Sequence, residues 1–330
     1  MKKYFYIILI PFLFACEKEE EPIKAFNRGG IITASIETGN NGDYSKQIYY
    51  DISENKVVRT INRTSWDLGF ETTPTGTNIK TNTSCKMYVA KTGFTHLDSI
   101  KSISSLTLDY KWDNESGNPD SLALRDWMIS GTPTNEVFII DRGEKPSLSP
   151  RGFKKMQILS VSATQFKIKY ANIDGTDEHT KVIVKNTAKN YTCFSFEEGG
   201  KVVEAEPDKD KWDLLFSQYL ISYYDFDPAL SYSVNGVLLN DKQCMGAKVY
   251  DKSFADINLS DLGTYNLSDS TDVIGYNWKY YDLDAGTYLI KTKQNYLIKD
   301  RKGFYYKLRF IDFYNDAGIK GSPKFEFEKM

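Results

Sequence analysis

The chain has 330 residues, of which 41% are hydrophobic, and its formal net charge is −2. Lysine and arginine are scattered among aspartate and glutamate, so no basic stripe is available to neutralise phosphates, and nucleic acid is excluded as a partner. Two histidines in all leave little material for acid–base catalysis, and no catalytic zinc or serine-nucleophile motif occurs. We therefore expect neither an enzyme nor a metal site.

The first fifteen residues have the layout of a secretory signal peptide. Two lysines precede an apolar run over 4–14, and Ala15 stands directly before Cys16. The run is too short to cross a hydrocarbon core of about 30 Å, which takes roughly 20 apolar residues as a helix. A cleaved signal over 1–15 is therefore favoured over a permanent membrane span.

The sequence around Cys16 resembles the bacterial lipobox, in which a small residue precedes a cysteine that receives a diacylglycerol. The resemblance implies that Cys16 is lipidated and becomes the mature N-terminus, held at a membrane by its acyl chains. An ordinary signal peptide with a coincidental cysteine is the alternative. Residues 16–27 are predicted to form an acidic tether. The tract 17–21 resembles the signal that sends lipoproteins of Bacteroidetes to the cell surface, the alternative being a solvated linker.

The remaining sequence contains an internal repeat. Three dipeptides and a single tryptophan of the first half return in the same order in the second half. The pairs are Trp66-Asp67 with Trp212-Asp213, Trp127 with Trp278, Asp141-Arg142 with Asp300-Arg301, and Gly152-Phe153 with Gly303-Phe304. We predict two homologous domains over 28–185 and 186–330, each burying its own core. Chance similarity in a tyrosine-rich sequence is the alternative.

Both halves have the residue alternation of β-strands. Phe166, Ile168 and Tyr170 alternate with lysines, and residues 324–328 alternate in the same way, so apolar side chains fall on one face. Turn residues such as Asp174-Gly175 separate these runs, and no long segment has a helical period. We therefore predict an all-β, antiparallel fold. The four repeated tryptophans are predicted to be core residues rather than ligand contacts.

The order of motifs in the second half resembles the HmuY family. Phe194-Ser195-Phe196 is followed by Gly199-Gly200-Lys201, by Trp212-Asp213-Leu214, by Trp278 and by an aromatic run over 303–310. The resemblance covers about 191–328 well and about 44–185 more faintly, and it implies two tandem HmuY-like domains. Members of the family are lipid-anchored, all-β haemophores on the surface of Bacteroidetes, which pass haem to an outer-membrane receptor.

The resemblance also implies a set of iron ligands, from which this sequence departs. Two His or Met side chains clamp the haem iron in members of the family. One ligand position, five residues after Trp278, is occupied by Leu283, and Thr132 has the same offset in the first half; neither side chain ligates iron. The second half contains no histidine. His96 and Met128 of the first half are therefore the candidate haem ligands, and a tyrosinate ligand stays open.

Together these features predict a lipoprotein of the outer membrane, exposed at the cell surface, that binds haem or a related ligand for uptake and iron acquisition. The resemblance implies a TonB-dependent receptor as the partner. The alternative is a surface adhesion or glycan-binding lipoprotein that keeps the fold without haem, with exposed tyrosines and tryptophans stacking on sugars. A third hypothesis is a structural subunit of an outer-membrane uptake complex.

Overall fold

The computed structural model describes residues 29–330. The predicted signal peptide, Cys16 and the predicted tether over 16–27 lie outside these residues. The described chain is almost entirely antiparallel β-structure, and the prediction of an all-β fold is confirmed. No helix among residues 29–330 is long and apolar enough to span a membrane.

The residues that the structure describes form 22 strands, which fall into two series of eleven that follow the sequence repeat. The first eleven are β1 (Ile32–Ser35), β2 (Lys46–Asp51), β3 (Lys56–Asn62), β4 (Leu68–Glu71), β5 (Ile79–Thr81), β6 (Tyr88–Lys91), β7 (Met128–Ile129), β8 (Thr132–Pro133), β9 (Phe138–Asp141), β10 (Phe153–Val161) and β11 (Gln165–Ala171). Those that follow are β12 (His179–Val184), β13 (Tyr191–Ser195), β14 (Lys201–Val203), β15 (Leu214–Tyr223), β16 (Leu230–Leu239), β17 (Met245–Val249), β18 (Lys279–Asp282), β19 (Thr287–Ile290), β20 (Asn295–Lys299), β21 (Tyr305–Tyr314) and β22 (Lys320–Lys329). Short 3₁₀ turns connect some of them, at Arg63–Ser65, Thr83–Cys85, Leu97–Ser99, Pro119–Ser121, Glu197–Gly199, Phe254–Asp256 and Leu259–Gly263.

Two five-stranded sheets show the sequence repeat as a repeat of strand order. One sheet has the order β12-β11-β10-β9-β6, and the other has the order β1-β22-β21-β20-β17. Four strands of each sheet occupy matching places in the two halves of the sequence. The remaining edge strand is exchanged, because β12 pairs with β11 of the first half and β1 pairs with β22 of the second half.

Two four-stranded sheets continue this exchange of strands. The hairpin β2–β3 pairs through β2 with β15, with Tyr50 opposite Leu214, and the hairpin β13–β14 pairs through β13 with β4, with Phe194 opposite Leu68. Repeat-equivalent strands are therefore exchanged: β1–β3 join the sheets that contain β15–β17 and β20–β22, and β12–β14 join the sheets that contain β4–β6 and β9–β11. As a result residues 63–203 form one continuous unit, which we call the inserted unit. Residues 32–62 together with 204–330 form the outer unit.

The predicted domain boundary between residues 185 and 186 falls between β12 and β13. Both of these strands pair with strands of the first half, β12 with β11 and β13 with β4. The division into 28–185 and 186–330 stays a prediction about the sequence repeat, whereas strand pairing divides the chain near residues 62 and 204.

Each unit has its own aromatic core. Trp127 and Phe166 lie in the core of the inserted unit, and Trp278 lies in that of the outer unit, stacked on Phe310 with ring centroids 3.9 Å apart. Tyr50 of β2 also lies in the outer core, so an exchanged strand contributes to the apolar burial that stabilises the unit it joins. All four repeated tryptophans are buried, as predicted.

Each unit also contains a buried ion pair built from the repeated dipeptides. In the inserted unit, Arg142 Nη2 lies 3.1 Å from Asp67 Oδ2. In the outer unit, Arg301 Nη1 lies 2.5 Å from Asp213 Oδ2, and Arg301 Nη2 lies 2.7 Å from Asp51 Oδ2. Charges removed from water need such close partners. Because Asp51 belongs to β2, Arg301 connects the exchanged hairpin to the rest of the outer unit.

Candidate functional site: a tyrosine-lined cleft

A cleft of about 470 Å³ opens beside the hairpins β15–β16 and β18–β19 of the outer unit. Seven of its nineteen lining residues are tyrosines, and we call it the tyrosine cleft. The aromatic side chains that line it are Tyr44, Tyr223, Tyr232, Tyr276, Tyr280, Tyr281, Tyr288 and Phe313. A volume of this size is within the range of small-molecule sites, which is about 300–1,000 Å³.

The two hairpins fix the positions of these rings. Tyr281 of β18 pairs directly with Tyr288 of β19, and their rings meet edge to face with centroids 5.1 Å apart. Tyr288 packs in turn on Phe313 of β21 at 5.0 Å, which holds the hairpin against the outer sheet. In β15–β16, the centroids of Tyr223 and Tyr232 are 5.7 Å apart. Tyr232 and Tyr281 remain 57% and 50% exposed, so their rings are fixed by neighbours yet accessible to a ligand.

Lys279 lies in the lining of this cleft, at the first position of β18. Its Nζ donates hydrogen bonds to the carbonyl oxygens of Asn235 at 2.7 Å and Tyr276 at 3.3 Å. The same atom lies 4.1 Å from the ring centroid of Trp278 and 4.4 Å from that of Phe313, within cation–π range. Burial disfavours the charged ammonium and lowers the pKa of Lys279 to about 7.

Asn235 contributes an unpaired acceptor to the same lining. Its Nδ2 donates to Thr38 Oγ1 at 3.2 Å, and that hydroxyl donates onward to the carbonyl of Gly321, which fixes the orientation of the amide. Its Oδ1 is buried and has no hydrogen-bond partner among the residues that the structure describes. A buried acceptor costs free energy when it is unpaired.

Part of the lining comes from the inserted unit. Lys86 and Glu144 form an ion pair with Nζ and Oε1 2.6 Å apart. Arg63 donates from Nη1 to the carbonyl of Ser84, and its buried Nε has no partner within residues 29–330. The cleft therefore contacts both units and depends on how they pack together.

The residues singled out from the sequence lie elsewhere. His96 is exposed, directly before the turn Leu97–Ser99. Met128 is half-buried at the start of β7 and lines a different cleft, of about 320 Å³, together with Trp127; His96 does not line that cleft. Neither residue lines the tyrosine cleft. The structure does not show the two side chains sharing a site, and their role as haem ligands stays a prediction.

The family ligand position also has a clear place in the structure. Leu283 lies in the turn between β18 and β19 and is 86% exposed. Thr132 begins β8 of the corresponding hairpin in the first half. Both positions are thus carried by the short hairpin that follows a repeated tryptophan, and in the second half this hairpin carries tyrosines of the cleft.

Sequence reasoning missed Lys279. The repeat gave one usable signal, because Lys279 directly follows Trp278 just as Met128 directly follows Trp127. Nothing in the spacing indicates that the lysine is buried, since a lysine beside two tyrosines is typical of an exposed strand. The tyrosines of the cleft could not be selected from 23 in the chain.

The described part of the chain offers no metal centre of the usual kind. Within residues 29–330, no three or more His, Cys, Asp or Glu side chains are grouped so that they could hold a metal ion. The described residues instead combine an all-β scaffold with an aromatic cleft. The chain belongs to the HmuY family, since the family model described as HmuY protein matches residues 43–327 as one unit across both halves. Proteins of this family are binding proteins rather than enzymes.

Solved structures give low overall similarity. A HmuY-like heme-binding protein, so described, from Bacteroides vulgatus is 13% identical, with 90% of each chain covered and a TM-score of 0.23. Apo PinO from Porphyromonas gingivitis is 9% identical, with 92% of this chain and 98% of that chain covered and a TM-score of 0.30. The apo HmuY analog of Tannerella forsythia is 10% identical, with 92% of this chain and 99% of that chain covered and a TM-score of 0.26. No curated protein matches the chain. Family membership therefore rests on the sequence match.

Proposed function

We propose that this protein is a lipoprotein of the outer membrane, exposed at the cell surface, that binds haem or a related tetrapyrrole for uptake. The observation that supports the proposal is the family match over residues 43–327, because members of the HmuY family are surface haemophores. A TonB-dependent receptor in the same membrane is the proposed recipient of the ligand.

The tyrosine cleft is the site that we assign to this ligand. Tyr232, Tyr281 and Tyr288 present ring faces and edges that suit the flat apolar faces of a tetrapyrrole. No histidine or methionine lines the cleft, so the tyrosine hydroxyls are the groups that its aromatic walls offer to an iron atom. The residues of the cleft thus fit the porphyrin ring, but they do not provide the His or Met pair that other members use.

Full-length protein is expected to bind haemin with the Soret absorbance of high-spin iron, because the cleft cannot supply two strong axial ligands. The double variant Tyr232→Ala/Tyr281→Ala is expected to bind about ten-fold more weakly or worse, since it removes two exposed aromatic walls. A haemin titration followed by absorbance measures both effects.

The control for this experiment is Tyr250→Ala, because Tyr250 is 56% exposed but does not line the cleft. Its affinity is expected to equal that of the wild type. A low-spin spectrum that disappears in His96→Ala or Met128→Ala would place the iron at the ligands predicted from the sequence and not in the cleft. Absence of any haemin binding by the wild type contradicts the proposed function.

Glycan binding is the second candidate function, and Asn235 favours it. The buried Asn235 Oδ1 needs a hydrogen-bond donor, which a sugar hydroxyl supplies and a porphyrin ring face does not. Gln218 and Ser233 add further polar groups among the tyrosines. Retardation on gels containing polysaccharide, lost in the Tyr232→Ala/Tyr281→Ala variant while haemin fails to bind, would favour this function.

The proposed location depends on Cys16. Cys16→Ala removes the thiol that carries the acyl chains, each buried methylene of which stabilises membrane attachment by about 0.8 kcal/mol. We expect the variant to leave the membrane fraction, as soluble or uncleaved protein, and to incorporate no labelled fatty acid. Fractionation of cells labelled with palmitate measures this. Membrane retention of the variant, together with an unlabelled wild type, would show that the anchor is not a lipid on Cys16.

A further inference from the structure

No residue in the described part of the chain supplies a counter-charge to Lys279. Its side chain is 7% exposed, and its hydrogen-bond acceptors are the neutral carbonyl oxygens of Asn235 and Tyr276. Within residues 29–330 no carboxylate lies at ion-pair distance from Nζ, and desolvation alone acts on its charge. An ammonium group removed from water in this way is costly unless a negative charge comes close to it.

Other buried cations show what a completed pair looks like. Arg301 has two carboxylates within 2.7 Å, and Lys154 has Asp177 at 2.7 Å. Lys155 is buried and donates to the carbonyl of Ile100 at 2.6 Å, as Lys279 does to its own carbonyls, but it lines no part of the tyrosine cleft. Lys279 therefore combines a buried amino group that has no counter-charge with access to a cleft that can hold a ligand.

We propose that Lys279 is the carboxylate-anchoring residue of the tyrosine cleft, pairing with an acidic side arm of the ligand while the tyrosines hold its flat body. This assignment rests on the proposed function and identifies the propionate group of a tetrapyrrole as the group bound. The rings of Trp278 and Phe313 keep Nζ in place, so little conformational entropy is lost when the ion pair forms. Water is largely displaced around a 7% exposed side chain, which strengthens the attraction between the two charges.

Two metal-free probes separate this role from iron ligation. Protoporphyrin IX and its dimethyl ester share one ring system, and the ester replaces both carboxylates by neutral groups. We expect wild-type protein to bind the free acid about ten-fold or more tightly than the ester. In Lys279→Met we expect that preference to disappear through weaker binding of the acid, with the affinity for the ester unchanged. Quenching of tryptophan fluorescence measures all four affinities, because Trp278 lies against Lys279.

Lys155→Met is the matched control, since it also replaces a buried lysine that is bonded to a carbonyl, and it should keep the preference for the acid. Equal wild-type affinity for acid and ester overturns the assignment, as does a preference that persists in folded Lys279→Met; both results leave porphyrin binding intact. Failure of the wild type to bind either probe overturns the proposed function and the assignment together. If thermal melting shows that Lys279→Met is unfolded, the assignment is tested by the wild type alone, through the ratio of its affinities for the free acid and for the ester.

Discussion

Replacing Arg301 with methionine is expected to lower the free energy of unfolding by about 3–5 kcal/mol, the usual cost of breaking a buried ion pair from one side. Arg301 is 4% exposed and pairs with Asp213 and Asp51, whose side chains are 0% and 5% exposed. Methionine fills much of the space but leaves both carboxylates without a cation. Because Asp51 belongs to β2, the variant also loosens the exchanged hairpin. Urea unfolding followed by tryptophan fluorescence measures the change.

Arg309→Met provides the control. Arg309 pairs with Glu326 at 2.7 Å, but these side chains are 37% and 20% exposed, so water already solvates much of both charges. We expect a loss of less than about 1 kcal/mol for such a pair. If Arg301→Met and Arg309→Met lose similar amounts of stability, the buried pair does not hold the outer unit together as described.

Residues 63–203 expressed alone are expected to fold cooperatively, whereas residues 186–330 are expected to remain unfolded or to aggregate. The inserted unit contains all strands of its two large sheets, β4–β6 and β9–β14, in one continuous segment. The fragment 186–330 lacks β1–β3 and carries β13–β14 without their partner β4. It therefore exposes unpaired edges on two sheets and a core without Tyr50. Circular dichroism with thermal melting distinguishes the two fragments.

The sequence repeat alone predicts the opposite result, since it assigns a separate core to each half. Cooperative melting of 186–330 would therefore support the boundary between 185 and 186 and contradict the strand exchange. Co-expression of 29–62 with 204–330 is the matched control. It supplies every strand of the outer unit in two pieces, and it should recover β-structure if strand exchange, not the fragment's length, is what limits folding.

Much of the fold could be predicted from local patterns. Alternation in segments such as 166–170 identifies strands, and all four repeated tryptophans are buried as predicted, with Trp127 and Trp278 in the two large cores. The exchange of hairpins could not be predicted, for a physical reason. β2 and β13 are repeat-equivalent strands of similar apolar character, so either could pair with β4 or with β15 on the basis of side-chain pattern. Which sheet each hairpin joins depends on the path of the connecting segments, and a local sequence pattern does not specify that path.

Less of the candidate site than of the fold could be predicted from the sequence. The family resemblance implied His and Met ligands, but the tyrosine cleft has neither among its lining residues. The aromatic lining of the cleft forms because the hairpins β15–β16 and β18–β19 lie side by side, and Lys279 is buried beneath aromatic rings. Both features are consequences of tertiary packing. A lysine at the start of a short tyrosine-rich strand has no local property that distinguishes it from an exposed one.

The pairing of β1 with β22 has a practical consequence for orientation on the cell. Ile32 lies opposite Phe327, so the chain enters the fold beside the place where it ends. If acyl chains on Cys16 hold the N-terminal segment at the membrane, a tag or fluorescent protein joined after Met330 is also placed at the membrane-proximal end, where antibodies and large probes have the least access. Surface labelling should instead use a turn of the inserted unit, such as the one between β11 and β12, where Asp174 is exposed.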